Sequence, residues 1–230
     1  PAKNYYIFVV SQVHGPQKSK LHKTLNPTHN VSFVMHFNLR PKNTRGSFAN
    51  DWLHAKHSFS FGDYLRVGAI AARSPICQSV VAFANRGGYV FGVCNGFQVL
   101  TETGLLPGAL LRNAGLKYIC KHVELNVETT QSAYTSAYKA DQSITIPIAH
   151  HDGNYNLDDG DAQVLFDQDR VAFTYADNPN GSVRSIAGVL SENRRVLGMM
   201  PHPERLADPA QGGTDGQPFF AGMMDQIAKV

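Results

Sequence analysis

Cysteine is scarce in this chain of 230 residues, and its three cysteines form no C-x-x-C pair. An odd count argues against a disulfide framework, and the missing pair argues against a zinc site and for a reducing compartment. No apolar run approaches the ~20 residues of a membrane span. The first residues also lack the charged, apolar and small-residue pattern of a secretory leader. We therefore expect a cytoplasmic protein that binds neither a membrane nor a metal ion.

Low-complexity segments and internal repeats are also missing, and only 17% of the residues are charged against 43% apolar ones. This composition predicts one folded domain over residues 1–230 with a large core. The charge is uneven, because residues 1–57 contain eight Lys or Arg and a single acid, Asp51. These basic residues are scattered, and no aromatic residues alternate with them. We therefore expect no nucleic-acid binding.

The order of apolar patterns predicts the fold class. Residues 5–10, 31–38 and 89–93 are typical of buried strands, and the apolar spacing that ends at Gly87-Gly88 predicts a helix. Alternating or apolar segments at 117–128, 143–150, 170–176, 185–190 and 195–200 predict further strands, and 216–229 predicts a last helix. Together they predict an α/β fold of three layers, α/β/α, with a mixed and largely parallel central sheet.

One cysteine lies on a predicted sharp turn between the strand at 89–93 and the helix that follows it. In "GVCNG", Gly92 and Gly96 flank Cys94 at the spacing of a nucleophile elbow, where the strand and the helix approach closely. The N-terminus of the helix favours the thiolate, which is the nucleophilic form of cysteine. The alternative is a buried structural cysteine, but the two glycines favour a catalytic nucleophile at Cys94.

A nucleophile needs a base and a group that orients it. The sequence "VLGMMPHPER" places His202 and Glu204 two residues apart after an apolar strand. Residues at this spacing in an extended segment point the same way, so Glu204 is placed to hold His202 in one tautomer. On its own this pair is typical of a solvated loop. Together with the elbow it predicts a Cys94-His202-Glu204 catalytic triad.

These residues carry a resemblance to a known family. "GVCNGFQVLTETGLLPGALLRN" and "MMPHPER" resemble the class I, triad-type glutamine amidotransferases, whose fold is flavodoxin-like. Within that class, "FSFGDYLRVGAIAARSP", "PIAHHDGNY", "NPNGS" and "GGTDG" resemble the glutaminase subunits of phosphoribosylformylglycinamidine synthase. The resemblance extends from about Phe59 to Phe220.

The resemblance implies a role for each site residue. Cys94 attacks the side-chain amide of glutamine, His202 transfers protons, and the backbone N–H of Asn95 stabilises the oxyanion. Gln98, one helical turn beyond Cys94, matches the family glutamine that contacts the substrate. His150 falls near the glutamine pocket, either as a lining residue or as a hydrogen-bonded structural histidine.

The resemblance also implies partners. Ammonia passes to a synthetase subunit, which uses ATP and Mg²⁺ to convert formylglycinamide ribonucleotide to its amidine in purine biosynthesis, and a small adaptor subunit joins the assembly. This chain has no glycine loop for nucleotide phosphates, so we expect no cofactor in it.

Residues 1–57 depart from the family pattern. The family has Pro-Gly-Gly where this chain has Lys56-His57-Ser58, and a glycine there supplies the second oxyanion N–H. Three explanations remain: a diverged segment, a changed reading frame or erroneous sequence, and a homologue that has lost activity. We favour the second, because the sequence from residue 58 onward matches so closely. The alternative to an active enzyme is an inactive subunit that keeps only a structural role.

Overall fold

The structure of this protein is a computed structural model, and it describes residues 5–13, 31–39, 72–73 and 75–228. The strands are β1 (Tyr5–Val13), β2 (Val31–Leu39), β3 (Tyr89–Val93), β4 (Ala109–Leu111), β5 (Ile119–Val127), β6 (Ser143–His150), β7 (Asn154–Asn156), β8 (Val171–Tyr175), β9 (Ile186–Leu190) and β10 (Val196–Met199). The α-helices are α1 (Pro75–Asn85), α2 (Asn95–Glu102), α3 (Asp159–Asp167) and α4 (Gln217–Ala228). Short 3₁₀ turns cover Val183–Ser185, Pro203–Arg205 and Pro209–Gln211.

Among the described residues, eight strands form one sheet in the order β2-β1-β3-β10-β9-β8-β5-β6, and β4 pairs with β7 apart from it. The ladders β1–β3 and β3–β10 are parallel, and the other five ladders of the large sheet are antiparallel. The predicted α/β fold with a mixed sheet is confirmed, but a largely parallel sheet was the wrong expectation. Connections such as 191–195 between β9 and β10 are too short for a parallel crossover, which takes a dozen or more residues.

Helices cover both faces of the central strands. A Cβ placed on Gly92 of β3 would lie 2.7 Å from the backbone of Gly96 in α2, so α2 packs on that face. The neighbouring residue Phe91 points to the opposite face, where its ring lies 4.5 Å from the ring of Phe219 in α4. Val90, Phe91 and Phe219 are fully buried. The predicted three layers are therefore present around β3.

The predicted end of α1 is confirmed in detail. The N–H of Gly88 donates to Phe83 O at 3.0 Å, and the N–H of Gly87 donates to Ala84 O at 2.8 Å. Gly87 has φ +84°, a backbone conformation that a residue with a side chain rarely adopts. This pair of bonds is the Schellman motif, which ends the helix and directs the chain into β3.

The sheet curls, so that the free edge of its last strand meets the carboxyl ends of β3 and β10. On the edge of β6 that β5 does not cover, Pro147 O accepts from His202 N at 2.8 Å. Two residues further along, Ala149 O lies 3.8 Å from Cys94 Sγ. Nearer the start of β6, Thr145 N donates to Asp215 Oδ2 at 2.7 Å. This edge strand therefore binds the segments that follow β3 and β10.

Some elements were not predicted, and some predictions lie outside the described residues. The pair β4–β7 has only three residues in each strand, and α3 buries only Ala162 and Leu165, so neither has a strong sequence pattern. The altered stretch Lys56-His57-Ser58 lies outside the described residues. Within the described residues, no helix has both the length and the apolar character needed to cross a bilayer.

Candidate active site

Cys94 occupies a strained turn between β3 and α2. Its φ of 55° and ψ of −110° lie where residues other than glycine are rare, and it is the N-cap of α2. A Cβ on Gly92 would meet Leu100 and the backbone of Gly96 at 2.6–2.7 Å, so the strand and the helix approach as closely as the sequence predicted. Cys94 N donates to Met199 O at 2.9 Å, which ties the turn to β10. The side chain is 1% exposed.

The start of α2 gives Cys94 an electropositive environment. Phe97 N and Gln98 N both donate to Cys94 O, at 3.0 and 3.3 Å, so the first turn of the helix is closed on this residue. Asn95 and Gly96 begin the helix, where backbone N–H groups have no acceptor within the helix itself. These N–H groups and the helix dipole favour negative charge beside Cys94. Asn95 is the first residue of this helix, and its role as an oxyanion donor stays a prediction.

His202 and Glu204 form a short, directed pair. His202 Nδ1 lies 2.6 Å from Glu204 Oε1, and Arg205 Nε lies 3.8 Å from the same oxygen. Burial opposes ionisation of Glu204, but the neighbouring His202 and Arg205 and the hydrogen bond from His202 outweigh it and lower the pKa of Glu204. Because the carboxylate can only accept, Nδ1 is the donor and Nε2 keeps the basic lone pair. Within the described residues, the buried Nε2 has no hydrogen-bond partner.

The fold brings the cysteine and the histidine to one place. Val93 and Met199 are paired in register on the adjacent parallel strands β3 and β10, and Cys94 and His202 follow within three residues of those strand ends. Both residues also contact β6, at the carbonyls of Ala149 and Pro147. Two such carbonyls lie about 6.6 Å apart along a strand. The three residues of the predicted triad thus share one end of the sheet.

Gln98 and a residue that the sequence did not indicate, Asp152, form one wall of this site. Gln98 Nε2 donates to Asp152 O at 3.0 Å, and Gln98 Oε1 is buried without a hydrogen-bond partner among the described residues. The Asp152 carboxylate is also buried, and Arg112 Nε, on a half-exposed side chain, lies 3.6 Å from its Oδ1. No local pattern in the sequence singles out Asp152, and only the curl of the sheet places it beside α2.

His150 is fully buried at the end of β6 and is hydrogen-bonded on one side only. Its Nδ1 lies 3.0 Å from Asn113 Oδ1, while Nε2 has no hydrogen-bond partner among the described residues. Burial, together with the charge of nearby His202, lowers its pKa from 6.5 to about 3. His150 therefore forms a hydrogen bond within the protein through Nδ1, and its role as a lining residue of the glutamine pocket stays a prediction.

The loop that follows His150 is held by a buried polar network. Gly153 O accepts from Asn180 Nδ2 at 2.8 Å and from Ser182 Oγ at 3.4 Å, and Gly153 N donates to Asn113 Oδ1 at 3.1 Å. Asn180 also donates from Nδ2 to the hydroxyl of buried Tyr175 at 3.4 Å. In the sequence, the segment "NPNGS" contributed to the family resemblance. In the structure, its Asn180 and Ser182 hold the loop that follows His150.

Metal ligands are not grouped in the part of the chain that the structure describes. No set of three or more His, Cys, Asp or Glu side chains there could hold a metal ion. Cys77 is half-buried in α1 and Cys120 is exposed on β5, and neither forms a disulfide. The arrangement of Cys94, His202 and Glu204 can act as a nucleophile, a proton carrier and an orienting carboxylate.

Comparisons with known proteins agree on one family. Residues 48–214 match the family of the CobB/CobQ-like glutamine amidotransferase domain, so the match begins before Phe59, where the motif resemblance starts. The chain is 72% identical over 165 residues to phosphoribosylformylglycinamidine synthase subunit PurQ of Ruegeria sp. strain TM1040, covering 72% of this chain and 74% of that one. It is 52% identical over 178 residues to the subunit of the same name from Zymomonas mobilis, covering 77% and 80%.

A solved structure gives the same result for the fold. The structure of PurLQS from Thermotoga maritima contains a chain that is 44% identical to this one, with a TM-score of 0.67. The likeness covers 74% of this chain and 77% of that one.

Proposed function

This chain belongs to the family of CobB/CobQ-like glutamine amidotransferases, and we propose that it hydrolyses glutamine with Cys94 as nucleophile, His202 as proton carrier and Glu204 as orienting group. It is the glutaminase component of phosphoribosylformylglycinamidine synthase in purine biosynthesis, the enzyme of which its relatives at 52–72% identity are subunits. One observation supports the triad most: the carbonyls of Ala149 and Pro147, two residues apart in β6, contact Cys94 Sγ and His202 N.

In the first half-reaction, the Cys94 thiolate attacks the carboxamide carbon of glutamine and forms a C–S bond. The oxygen becomes an oxyanion, which the N–H groups at the start of α2, beginning with Asn95, stabilise. Protonated His202 then gives its Nε2 proton to the amide nitrogen, the C–N bond breaks, and ammonia leaves. Glu204 stabilises the imidazolium and keeps Nδ1 as the donor throughout.

In the second half-reaction, neutral His202 takes a proton from water through Nε2 as the water oxygen attacks the thioester carbon. A C–O bond forms, the C–S bond breaks, and glutamate and the Cys94 thiolate result. The same nitrogen therefore acts first as an acid and then as a base. This reversal requires that Nε2 face the reacting atoms in both steps, and the short bond from Nδ1 to Glu204 keeps the ring from flipping.

Gln98 provides the proposed contact for the rest of the substrate. Its Oε1 is buried without a hydrogen-bond partner among the described residues, and a buried polar atom is costly unless it is paired. The α-ammonium group of glutamine supplies a donor to this oxygen. We assign the amino-acid end of the substrate to this wall and its carboxamide to the side of Cys94 and His202.

The protein works in a complex with a synthetase subunit. We place ATP and Mg²⁺ on that subunit, and we propose that a small adaptor subunit completes the assembly. We also propose that the complex is cytoplasmic and binds neither nucleic acid nor membranes. Ammonia is a small neutral molecule that water would protonate, so direct transfer between the subunits protects it.

The test compares two cysteine variants in the complex with the synthetase subunit. Cys94→Ala should lower glutamate release by roughly 10³-fold or more, because no other nucleophile replaces the sulfur. Cys120→Ala removes an exposed thiol outside the site and should leave the rate unchanged. Normal activity of Cys94→Ala would refute the assignment of the nucleophile. A wild-type complex that forms but releases no glutamate would indicate the inactive structural subunit instead.

A further inference from the structure

A second imidazole lies beside the proposed proton carrier. His150 continues the buried face of β6 and is 0% exposed. The strand that carries it also binds His202, whose N–H donates to Pro147 O at 2.8 Å, three residues before His150. The Nε2 of His150 is buried and has no hydrogen-bond partner among the described residues. Buried polar atoms are nearly always paired, so an unpaired ring nitrogen inside a reaction site points to a ligand that pairs with it.

The hydrogen-bond network fixes which nitrogen of His150 carries the proton. The backbone N–H of Gly153 can only donate, and it donates to Asn113 Oδ1 at 3.1 Å. The other end of that amide, Nδ2, donates to the carbonyls of His150 and Lys117 at 3.0 and 2.8 Å. Because Asn113 Oδ1 is therefore an acceptor, His150 Nδ1, 3.0 Å away, must be the donor. In the neutral ring, Nε2 is then an acceptor.

The ring also stays neutral and fixed in place. Burial holds the pKa of His150 near 3, so its Nε2 lone pair is present at neutral pH. A Cβ placed on Gly153 would lie 2.3 Å from the imidazole of His150, so the following turn wraps closely around the ring. His150 is thus a preorganised hydrogen-bond acceptor that never competes with His202 for the reacting proton.

We propose that His150 Nε2 accepts a hydrogen bond from the carboxamide N–H of glutamine, and that Asn113 is the positioning residue that makes this nitrogen an acceptor. The inference rests on the proposed function, because the carboxamide nitrogen must lie next to His202 to receive its proton. That nitrogen bears two hydrogens, and His202 donates to it rather than accepting from it. His150 Nε2, a neutral acceptor beside His202, accepts a hydrogen bond from one of those hydrogens. This bond is kept during the step in which ammonia forms.

Two variants distinguish the acceptor role of His150 Nε2 from the hydrogen bond between His150 Nδ1 and Asn113. His150→Asn keeps an amide donor where Nδ1 meets Asn113 but has no atom at the position of Nε2. His150→Gln reaches that position with an amide oxygen. Both are compared with wild type in the complex, on glutamine and on glutamic acid γ-methyl ester, which keeps the α-ammonium and lacks the carboxamide N–H.

His150→Asn should lower kcat/KM for glutamine by about tenfold, the effect of one lost hydrogen bond, and change the rate on the ester less than twofold. His150→Gln should recover a large part of the loss. Equal losses on both substrates would overturn the inference, because they would indicate that His150 Nε2 binds the α-ammonium group or that His150 supports folding. No loss on either substrate would overturn it as well. Hydrolysis of both substrates must vanish in Cys94→Ala, so failure of the proposed function would be seen separately.

The role of Asn113 has its own readout. In ¹⁵N spectra of the labelled complex, Nδ1 of His150 should have the chemical shift of a protonated ring nitrogen and Nε2 that of an unprotonated one. Asn113→Ala should reduce the preference for glutamine over the ester and add no further reduction in the His150→Asn background. A protonated Nε2 in wild type, or fully additive losses in the double variant, would contradict the assignment of Asn113 as the positioning residue.

Discussion

Gly92 sets the distance between β3 and α2, and Gly92→Ala tests whether this distance matters for Cys94. The added Cβ would lie 2.7 Å from both C and O of Gly96 and 2.6 Å from Leu100 Cδ1. The leucine side chain can move, but the helix backbone must withdraw by roughly 0.7 Å to reach an ordinary contact. We expect a loss of about 3 kcal/mol in the free energy of unfolding, at the upper end of ordinary overpacking.

The same displacement should impair catalysis, because Cys94 lies between the strand and the helix that separate. A misplacement of this size costs up to about 10²-fold in kcat. Urea denaturation measures the first effect, and the initial rate of glutamate release in the complex measures the second. Gly160→Ala is the matched control: it adds the same methyl group within α3, where no described atom outside the backbone of that helix and the two chain neighbours lies within 4 Å.

Gly160→Ala should stabilise the protein by about 0.5–1 kcal/mol, because alanine favours the helix more than glycine does. It should leave the rate of glutamine hydrolysis unchanged. A Gly92→Ala protein with both the wild-type unfolding midpoint and the wild-type rate would show that the close approach of strand and helix does not position the nucleophile.

Two further outcomes follow from neighbouring features. A Cβ on Gly216 would lie 2.0 Å from the carbonyl oxygen of Pro203, the residue between His202 and Glu204. Gly216→Ala should therefore displace this pair and lower kcat by about 10²-fold, while Gly160→Ala should not. An unchanged kcat in Gly216→Ala would show that the packing of Gly216 against Pro203 does not position the pair. Because the pKa of His150 is near 3 in the folded state and 6.5 when unfolded, the unfolded chain binds more protons between these pH values. Stability should therefore fall as the pH drops from 6.5, by at most about 1.4 kcal/mol per pH unit. Urea titrations at pH 5 and 7 should show a smaller drop in His150→Asn, and equal drops would contradict the assigned shift.

Local patterns in the sequence predicted the parts of the site that depend on neighbouring residues. Residues within one short segment predicted three features: the cap at Gly87-Gly88, the strand at 89–93 and the turn at Cys94. The pair His202 and Glu204 was predictable for the same reason, since two residues of one turn determine their geometry.

The sequence did not predict contacts that arise when distant segments meet. Asn113 is 37 residues from His150 and 40 from Gly153, and nothing near it in the sequence indicates these bonds. The hydrogen bond from Gln98 Nε2 to Asp152 O joins residues that are 54 positions apart, and it depends on the curl that brings the end of β6 to α2. The expectation of a largely parallel sheet was wrong for a related reason, because apolar strands show burial but not the direction of their neighbours.

The most direct test of the triad is covalent labelling of the complex with an electrophilic glutamine analogue, followed by a full peptide map. We expect one adduct, on Cys94, that excess glutamine prevents and that is absent in Cys94→Ser. Cys77 and Cys120 lie outside the proposed triad and should remain unmodified. A complex that hydrolyses glutamine and is inactivated by the analogue, yet carries the adduct on any residue other than Cys94, would refute Cys94 as the nucleophile.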